Sequence, residues 1–305
     1  MTTKIEWLKE RQKGIGGTDV AAIFGLNPWK TPVQVWEEKI STLPVEQEDT
    51  PAMRAGRKLE KAIAEWFSEE TGLAIEKAED LIKHKKYPIL LANPDYFYLD
   101  GDKKGVLEIK TASRRSFDNW DDEIPVYYWT QIQHYMYVCD LKKGKFAVLV
   151  GGRDFRIIDV ERDEEWLEIA VPKLLEWWDK HVNKKIPPDP TSDEDWNIIY
   201  PKSKPIEIEA SEVVFKLVEE WKKIKAKISE LKAHKEELEF QIKTVMKEAE
   251  ILKYKGLPII SWKTSERSYF DTKQFKEDFP DLYKEYSKKR NVRTLRELKI
   301  KLEDN

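Results

Sequence analysis

The sequence predicts an α/β protein in two parts: a domain of mixed helices and strands, then an extension that begins with one long helix. Within residues 1–182, runs with the apolar spacing of amphipathic helices alternate with short runs rich in β-branched and aromatic residues. From residue 214 onward, apolar side chains recur at three- and four-residue intervals over five heptads without glycine or proline. Together the patterns indicate an α+β domain followed by a coiled-coil-like helix.

A proline-rich stretch lies between these parts. Residues 187–205, PPDPTSDEDWNIIYPKSKP, contain five prolines and few apolar runs. Proline interrupts helices and strands, so this composition is typical of a linker. We therefore expect a first domain over residues 1–182, a linker over 183–206, and an extension over 207–305 that consists of the long helix and a small α/β element.

The composition excludes several classes of protein. The 305 residues carry 54 Lys and Arg against 57 Asp and Glu, and 11% of them are aromatic, which argues against disorder. A single cysteine, Cys139, excludes an intrachain disulfide framework and a metal site built from several cysteines. The apolar runs are far shorter than the ~20 residues that cross a bilayer. We therefore expect a soluble, cytoplasmic protein without a membrane partner.

Three helices are predicted near the start of the chain. Residues 18–24 follow a glycine-rich turn, with Thr18 as the N-cap. A second helix is predicted over residues 31–40, and a third over 51–71, where Gly72 is a suitable C-cap. The third helix carries an apolar stripe at helical spacing, formed by Leu59, Ala62, Ile63, Trp66 and Phe67.

Strands and two further helices complete the first domain. The predicted strands cover residues 89–92, 96–99, 106–111, 145–150 and 155–160. A glycine-containing loop over 100–105 separates the second and third of these strands, which predicts a hairpin. The predicted helices cover residues 126–139 and 164–181.

The long helix of the extension has an apolar seam whose partner the sequence leaves open. At 1.5 Å per residue the helix is roughly 50 Å long, and the seam faces either a second copy or the protein's own body. A strand over 257–264 and a helix over 272–287, interrupted near Pro280, follow it. The final basic residues form either a solvated face or a phosphate-contacting tail: Lys284, Lys288, Lys289, Arg290, Arg293, Arg296, Lys299 and Lys301.

The residues most informative about chemistry lie on the predicted hairpin. Asn93-Pro94-Asp95 is followed after twelve residues by Glu108-Ile109-Lys110. Alternate side chains of a strand share a face, so Glu108 and Lys110 point the same way, and the hairpin brings Asp95 beside Glu108. Two adjacent carboxylates suit a hard cation such as Mg²⁺. The alternative is a solvated hairpin with an ion pair, but the apolar neighbours of Glu108 indicate a buried strand, where a carboxylate needs a partner.

Other polar residues can converge on the same place. Glu60 lies beside the apolar stripe of its helix, and Gln131 and Gln133 lie on the helix predicted after the hairpin. Taken singly, Glu60 is equally compatible with a surface position, and each glutamine with a capping or packing role.

The order of these motifs resembles the YqaJ-like viral recombinase nucleases, relatives of phage lambda exonuclease in the PD-(D/E)xK superfamily. Six blocks over residues ~7–182 carry the resemblance, because motif order is more specific than one motif. They are Arg11-Gln-Lys-Gly-Ile-Gly-Gly-Thr18-Asp19-Val20, Asn27-Pro28-Trp29-Lys30-Thr31-Pro32, Arg54-Ala-Gly56-Arg57-Lys-Leu-Glu60, Asn93-Pro94-Asp95, Leu107-Glu108-Ile109-Lys110-Thr111 and Gln131-Ile-Gln133. The resemblance implies a restriction-endonuclease-like core, a mixed central sheet flanked by helices.

The resemblance also implies roles for individual residues. Asp95, Glu108, Glu60 and the backbone carbonyl of Ile109 would hold the catalytic Mg²⁺, for which Mn²⁺ can substitute. Lys110 would position the attacking water, with Gln131 beside it. Arg11, Thr18 and the amides of Gly16 and Gly17 would bind the DNA 5′-phosphate, since a guanidinium and exposed helix N-terminal amides suit phosphate. Asp19 must then point away from that phosphate.

The implied activity is a 5′→3′ exonuclease that resects double-stranded DNA and leaves a 3′ overhang for a single-strand annealing recombinase. The family also implies a phage or prophage protein in the host cytoplasm, with a ring-shaped homotrimer as a plausible assembly. Two alternatives stay open at this point: a nicking or endonucleolytic enzyme with the same metal chemistry, and a DNA-binding scaffold with an inactive nuclease core.

Overall fold

The computed structural model describes residues 4–43, 50–78, 80–113, 124–288 and 292–298, which form two compact units. The first unit comprises the chain up to Lys202 together with residues 293–298, and the second runs from Ser203 to Val292. The division at Lys202 falls inside the stretch interpreted as a linker. Four residues of the basic tail lie outside the described residues: Lys289, Arg290, Lys299 and Lys301.

The first unit contains most of the predicted elements with small shifts in their bounds. Its helices are α1 (Lys4–Gln12), α2 (Gly17–Ile23), α3 (Pro32–Ile40), α4 (Pro51–Thr71), α5 (Val126–Val138), α6 (Glu164–Trp177, continued by a π-helical turn Trp178–Asn183) and α7 (Asp193–Ile199). Its strands are β1 (Ile15–Gly16), β2 (Ala74–Lys77), β3 (Ile82–Lys83), β4 (Leu90–Ala92), β5 (Tyr96–Asp100), β6 (Lys103–Ala112), β7 (Lys143–Val150) and β8 (Asp154–Glu161).

A mixed five-stranded sheet forms the centre of this unit, with strand order β2-β5-β6-β7-β8. Strands β5 and β6 form the predicted hairpin, whose turn is tighter than expected because Asp100 already pairs with Lys103 and Gly101 has a φ of 58°. Strands β6 and β7 run parallel, joined by a crossover that contains α5. Parallel neighbours require such a crossover, and this one brings α5 over the face that carries Glu108.

The two faces of the sheet pack against different helices. Ile63, Ala64 and Phe67 of α4 contact one face, where Leu107 of β6 lies. Val106 of the same strand belongs to the other cluster. Because side chains alternate along a strand, Glu108 lies on the face of Val106, toward α5.

A small second sheet positions the loops around that face. In it β1 pairs with β4 in parallel, with Ile15 opposite Leu90 and Gly16 opposite Leu91, and β3 pairs with β4 in antiparallel fashion. The buried His134 of α5 contacts both β1 and β4: its Nε2 lies 3.2 Å from the Ile15 carbonyl oxygen and 3.0 Å from that of Leu91. Because β1 and β4 are parallel, their carboxyl ends lie side by side at the same edge of this sheet.

Two local expectations were wrong. The N-cap of α2 is Gly16, not Thr18, because the helix begins at Gly17, which places Thr18 in its first turn. In α4, Leu59 is 39% exposed and only the C-terminal half of the predicted stripe is buried. The reason is that the sheet covers that half alone, while the N-terminal turns of α4 line a cleft.

Residues 187–202 are proline-rich, yet part of this segment packs onto the first unit. The Thr31 hydroxyl donates to Asp195 Oδ1 of α7 at 2.6 Å, and the Thr191 amide donates to Oδ2 at 2.8 Å. Asp195 is fully buried, so α7 is anchored to α3.

The second unit consists of the long helix, a hairpin and two short helices. They are α8 (Glu212–Met246), β9 (Ile251–Tyr254), β10 (Leu257–Ser261), α9 (Thr272–Asp278) and α10 (Pro280–Tyr286), so the interruption at Pro280 is confirmed. Along the seam of α8, Leu217, Ile224 and Leu231 are 52–61% exposed. None of the helices within the described ranges has the length and apolar character needed to span a membrane.

Candidate active site

Asp95 and Glu108 meet where the pairing of β5 and β6 ends. The last backbone pair is Tyr96 with Leu107. Beyond it, the backbone amides donate hydrogen bonds to side-chain carboxylates. The Ile109 amide donates to Asp95 Oδ2 at 2.8 Å, and the Asp95 amide donates to Glu108 Oε1 at 3.3 Å. The structure therefore brings the two carboxylates together at the position the hairpin predicted.

Lys110 completes this cluster on the same face of β6. Its Nζ lies 2.9 Å from Glu108 Oε2 and 3.3 Å from Gln131 Oε1. It also lies 5.0 Å from the centre of the Tyr128 ring. Burial by itself lowers the pKa of Lys110, but the carboxylates of Glu108 and Asp95 outweigh it and raise the pKa above its ordinary value, which favours the ammonium form.

Gln131 joins α5 to the cluster through both ends of its amide. Its oxygen accepts from Lys110, and its Nε2 donates to Glu108 Oε2 at 3.0 Å, with the Tyr135 hydroxyl 3.2 Å away. Gln133 does not reach the site: its Nε2 donates to the Glu161 carbonyl at 2.8 Å. Residues two apart on a helix do not share a face, so only one of the two glutamines can point at Glu108.

The electrostatics of the pair suit a divalent cation. Burial, and then the charge of Asp95, raise the pKa of Glu108 to about 8. Burial also raises the pKa of Asp95. Glu108 is fully buried and Asp95 is half-buried. Two carboxylates held this close repel each other when both are ionised, and a cation between them removes that cost.

The oxygen donors present fit Mg²⁺. A strand residue directs its N–H and C=O to the same neighbour, so the Ile109 carbonyl points to the edge where its amide meets Asp95. Mg²⁺ commonly uses one or two carboxylates and completes its shell with water and substrate phosphate. In the described part of the chain, no three His, Cys, Asp or Glu side chains are grouped to hold a metal. Asp95, Glu108 and this carbonyl are therefore the donors that Mg²⁺ would find here.

Glu60 lies on α4 at the rim of the same cleft. Its carboxylate pairs with Lys77 Nζ at 3.1 Å, and its charge contributes to the raised pKa of Asp95. Glu60 is therefore near enough to act on Asp95 electrostatically, while Lys77, the cation that it pairs with, lies on β2.

The predicted phosphate-binding residues line the same cleft, whose volume is about 490 Å³. Arg11 donates through Nη2 to the Thr18 hydroxyl at 2.7 Å, and its guanidinium stacks on Trp7 at 5.5 Å. The parallel pairing of β1 and β4 places the start of α2 next to the loop that carries Asp95, which explains why motifs far apart in sequence share one cavity. The Gly17 backbone is close against α5: a Cβ there would lie 2.5 Å from Tyr135 Cε1.

Asp19 is not among the residues that line the cleft, although it contacts two that are, Arg11 and Gly16. It is fully buried, with Lys39 Nζ at 2.7 Å, Lys30 Nζ at 3.3 Å and Arg11 Nη2 at 3.9 Å. Burial by itself raises the pKa of Asp19, but these three cations hold it far below its usual range. Asp19 also accepts from the Gly16 amide at 3.0 Å, so that predicted phosphate ligand is already engaged.

Sequence reasoning missed three residues of this region. Lys30 and Lys39 look like ordinary charged residues of a loop and a helix, and no local pattern predicts that they converge on a buried aspartate. Tyr135 carried a usable signal, because it lies four residues after Gln131 and so shares its helix face.

A mixed sheet that presents Asp95 before one hairpin strand and Glu108-Ile109-Lys110 on the other defines the PD-(D/E)xK fold class. The family model for the YqaJ-like viral recombinase domain matches residues 6–142. The protein YqaJ of Bacillus subtilis (strain 168), described as uncharacterized, is 35% identical over 299 residues, covering 94% of this chain and 92% of that protein. The chain belongs to the YqaJ-like viral recombinase family, which confirms the resemblance predicted from the motifs.

Two more distant similarities were also found. The uncharacterized protein R354 of Acanthamoeba polyphaga mimivirus is 25% identical over 154 residues, which cover 46% of this chain and 28% of that protein. The crystal structure of an alkaline exonuclease from Laribacter hongkongensis superposes with a TM-score of 0.50 and 20% identity, covering 59% of this chain and 93% of that one. The structural likeness confirms the fold.

Proposed function

We propose that this protein is a Mg²⁺-dependent deoxyribonuclease of phage-type recombination, a 5′→3′ exonuclease acting on double-stranded DNA in the host cytoplasm. One observation carries the proposal: a single cleft contains the carboxylates of Asp95 and Glu108 with Lys110, and also Arg11 hydrogen-bonded to Thr18. The first group suits phosphodiester hydrolysis, and the second suits the terminal phosphate of the strand being cut.

Asp95, Glu108 and the Ile109 carbonyl hold the metal in this proposal, with Glu60 at the rim of its site. Mg²⁺ held there would polarise a phosphodiester oxygen and activate a water molecule, and Mn²⁺ could take its place. Lys110 orients the attacking water and stabilises the negative charge that develops on the phosphate. Gln131 fixes the direction of the Lys110 ammonium and of the Glu108 carboxylate through its two amide hydrogen bonds.

Arg11 and Thr18 give the proposed enzyme its dependence on a DNA end. A guanidinium can bind two phosphate oxygens at once, and a terminal phosphate offers more oxygens and more charge than an internal one. The Gly17 amide lies at the start of α2, where first-turn amides have no acceptor within the helix, so it can add a hydrogen bond. An enzyme anchored in this way cuts near the 5′ end and leaves a 3′ overhang for a single-strand annealing partner.

The deciding experiment compares DNA forms with and without Mg²⁺. We expect the protein to shorten 5′-phosphorylated linear duplex only with Mg²⁺, to leave closed circles intact, and to lose activity in Glu108→Ala. Rapid cutting of closed circles would instead establish the endonucleolytic alternative. DNA binding with no Mg²⁺-dependent cleavage, or cleavage that persists in Glu108→Ala, would refute the proposed chemistry.

End recognition is tested separately through Arg11. Since a hydrogen bond to a charged group contributes about 1.5–3 kcal/mol, Arg11→Ala should lose about 10- to 100-fold of the preference for a 5′-phosphate over a 5′-hydroxyl. Lys9→Ala removes one charge from the exposed side of the same helix and is the matched control, expected to keep the preference. Equal effects of both changes would assign the preference to general charge.

We assign the second unit a role in assembly, because the α8 seam stays exposed within its own unit. A homotrimer is the expected assembly by family resemblance, and the basic tail would contact DNA phosphates. Light scattering of the full chain measures the first of these, and the salt dependence of DNA affinity measures the second.

A further inference from the structure

A line of aromatic rings leads outward from the cluster around Lys110. Tyr128 lies under the Lys110 ammonium at 5.0 Å. Its ring centre is 4.4 Å from that of Tyr127, which is in turn 4.9 Å from the ring of Trp29. The line begins inside the cleft, where Tyr128 is a lining residue, and ends at the protein surface.

Trp29 ends this line with 70% of its surface exposed. Its loop is nevertheless firmly held. Asn27 Oδ1 accepts from the amides of Trp29 and Lys30 at 2.8 and 3.1 Å. The side chain of Lys30 binds Glu38 at 2.6 Å and the buried Asp19 at 3.3 Å. A large aromatic ring is thus presented to solvent from a fixed backbone, which is suited to binding and contributes nothing to the core.

We infer that Trp29 and Tyr127 form a stacking platform for the bases of unpaired nucleotides. The inference rests on the proposed nuclease function, because a nuclease that consumes one strand of a duplex handles unpaired nucleotides beside its active site. Aromatic rings stack on the face of any base, so such a platform suits an enzyme that must accept every sequence. Its continuity with Tyr128 in the cleft favours a nucleotide over a protein partner.

The platform can be tested by binding alone, without cleavage. The full-length protein in EDTA is titrated against a fluorescent 5′-phosphorylated oligothymidylate and against a matched oligonucleotide whose sites are all abasic. Base–aromatic stacking contributes enough that Trp29→Ala should weaken the oligothymidylate complex by about 5- to 100-fold. Affinity for the abasic strand should be unchanged, and Trp29→Phe should keep most of the affinity for both.

Trp196→Ala is the matched control. Trp196 is half exposed and packs near another aromatic ring, Tyr200, at 5.9 Å. Neither of these two rings lines the cleft, whereas the line of rings from Trp29 reaches it through Tyr128. Its replacement should alter neither complex. If Trp29→Ala binds oligothymidylate like the wild type or like Trp196→Ala, the platform is refuted while the nuclease proposal stands. Equal weakening of the base-containing and abasic strands also refutes stacking, and absence of DNA binding by the wild type would overturn both proposals.

Discussion

Replacing Asp19 with asparagine is the sharpest test of how the cleft is supported. Asp19 is fully buried, and its partner Lys39 has a side chain only 2% exposed, with Nζ 2.7 Å from the carboxylate. Asparagine keeps the volume and an oxygen that can accept from the Gly16 amide, so the change removes little except the charge. Lys39 would be left as a buried cation without its counter-ion.

Removing one partner of a buried ion pair costs about 3–5 kcal/mol, and we expect Asp19→Asn to lower the unfolding free energy of the first unit by that amount. Urea unfolding at pH 7 measures it. Glu65→Gln is the matched control, because Glu65 pairs with Lys61 where both side chains are more than half exposed, and exposed pairs contribute less than about 1 kcal/mol. The double variant Asp19→Asn with Lys39→Met should recover part of the loss, since no buried cation remains.

The acid dependence of stability provides an independent check. The pKa of Asp19 is lowered in the folded protein, so its contribution is present above the unfolded pKa of about 3.9 and is lost as the pH falls toward the folded value. Asp19→Asn should therefore show a shallower loss of stability in acid than the wild type. A loss no larger than that of Glu65→Gln, or an unchanged acid slope, would refute the view that Asp19 anchors the three cations.

Three further predictions concern the site and the second unit. In EDTA, Glu108→Gln should be more stable than the wild type above pH 8, because the Glu108 pKa is raised to about 8 in the folded protein. The difference should vanish below about pH 4, where the carboxyl is protonated in both the folded and the unfolded state. Added Mg²⁺ should raise the melting temperature of the wild type and leave that of Glu108→Gln unchanged. Gly17→Ala should cost about 1–3 kcal/mol by overpacking against Tyr135, whereas Gly56→Ala, whose Cβ meets only ordinary contacts, should not. In light scattering, a chain ending at Lys202 should contain fewer subunits per particle than the full chain. Equal numbers of subunits would contradict a role of the second unit in assembly.

Local sequence pattern was sufficient for the hairpin at the centre of the site. The spacing of Asp95 and Glu108, and the alternation of Glu108, Ile109 and Lys110, are properties of a strand and its turn, and the structure places them accordingly. The interruption at Pro280 and the C-cap at Gly72 were predictable for the same reason, since each depends on backbone preferences of one residue.

The sequence was less informative about which helix faces are buried and which residues they contact, because both depend on the neighbouring elements. Leu59 has the right spacing for a buried helix face, but the sheet ends before it. Gln131 and Gln133 were equal candidates until the packing of α5 directed one toward Glu108 and the other toward Glu161. Spacing indicates which residues share a face and does not indicate which neighbour that face will meet.

The sequence by itself determined the family, most of the longer helices and strands, and the pair of carboxylates with its lysine, because these follow from short-range spacing and motif order. The tertiary structure alone decided that Arg11 shares a cleft with Asp95, and that three cations surround the buried Asp19. The shared cleft depends on the parallel pairing of β1 with β4, which joins segments about 75 residues apart. Such a contact is favoured only when the surrounding core forms, since chain connectivity does not impose it.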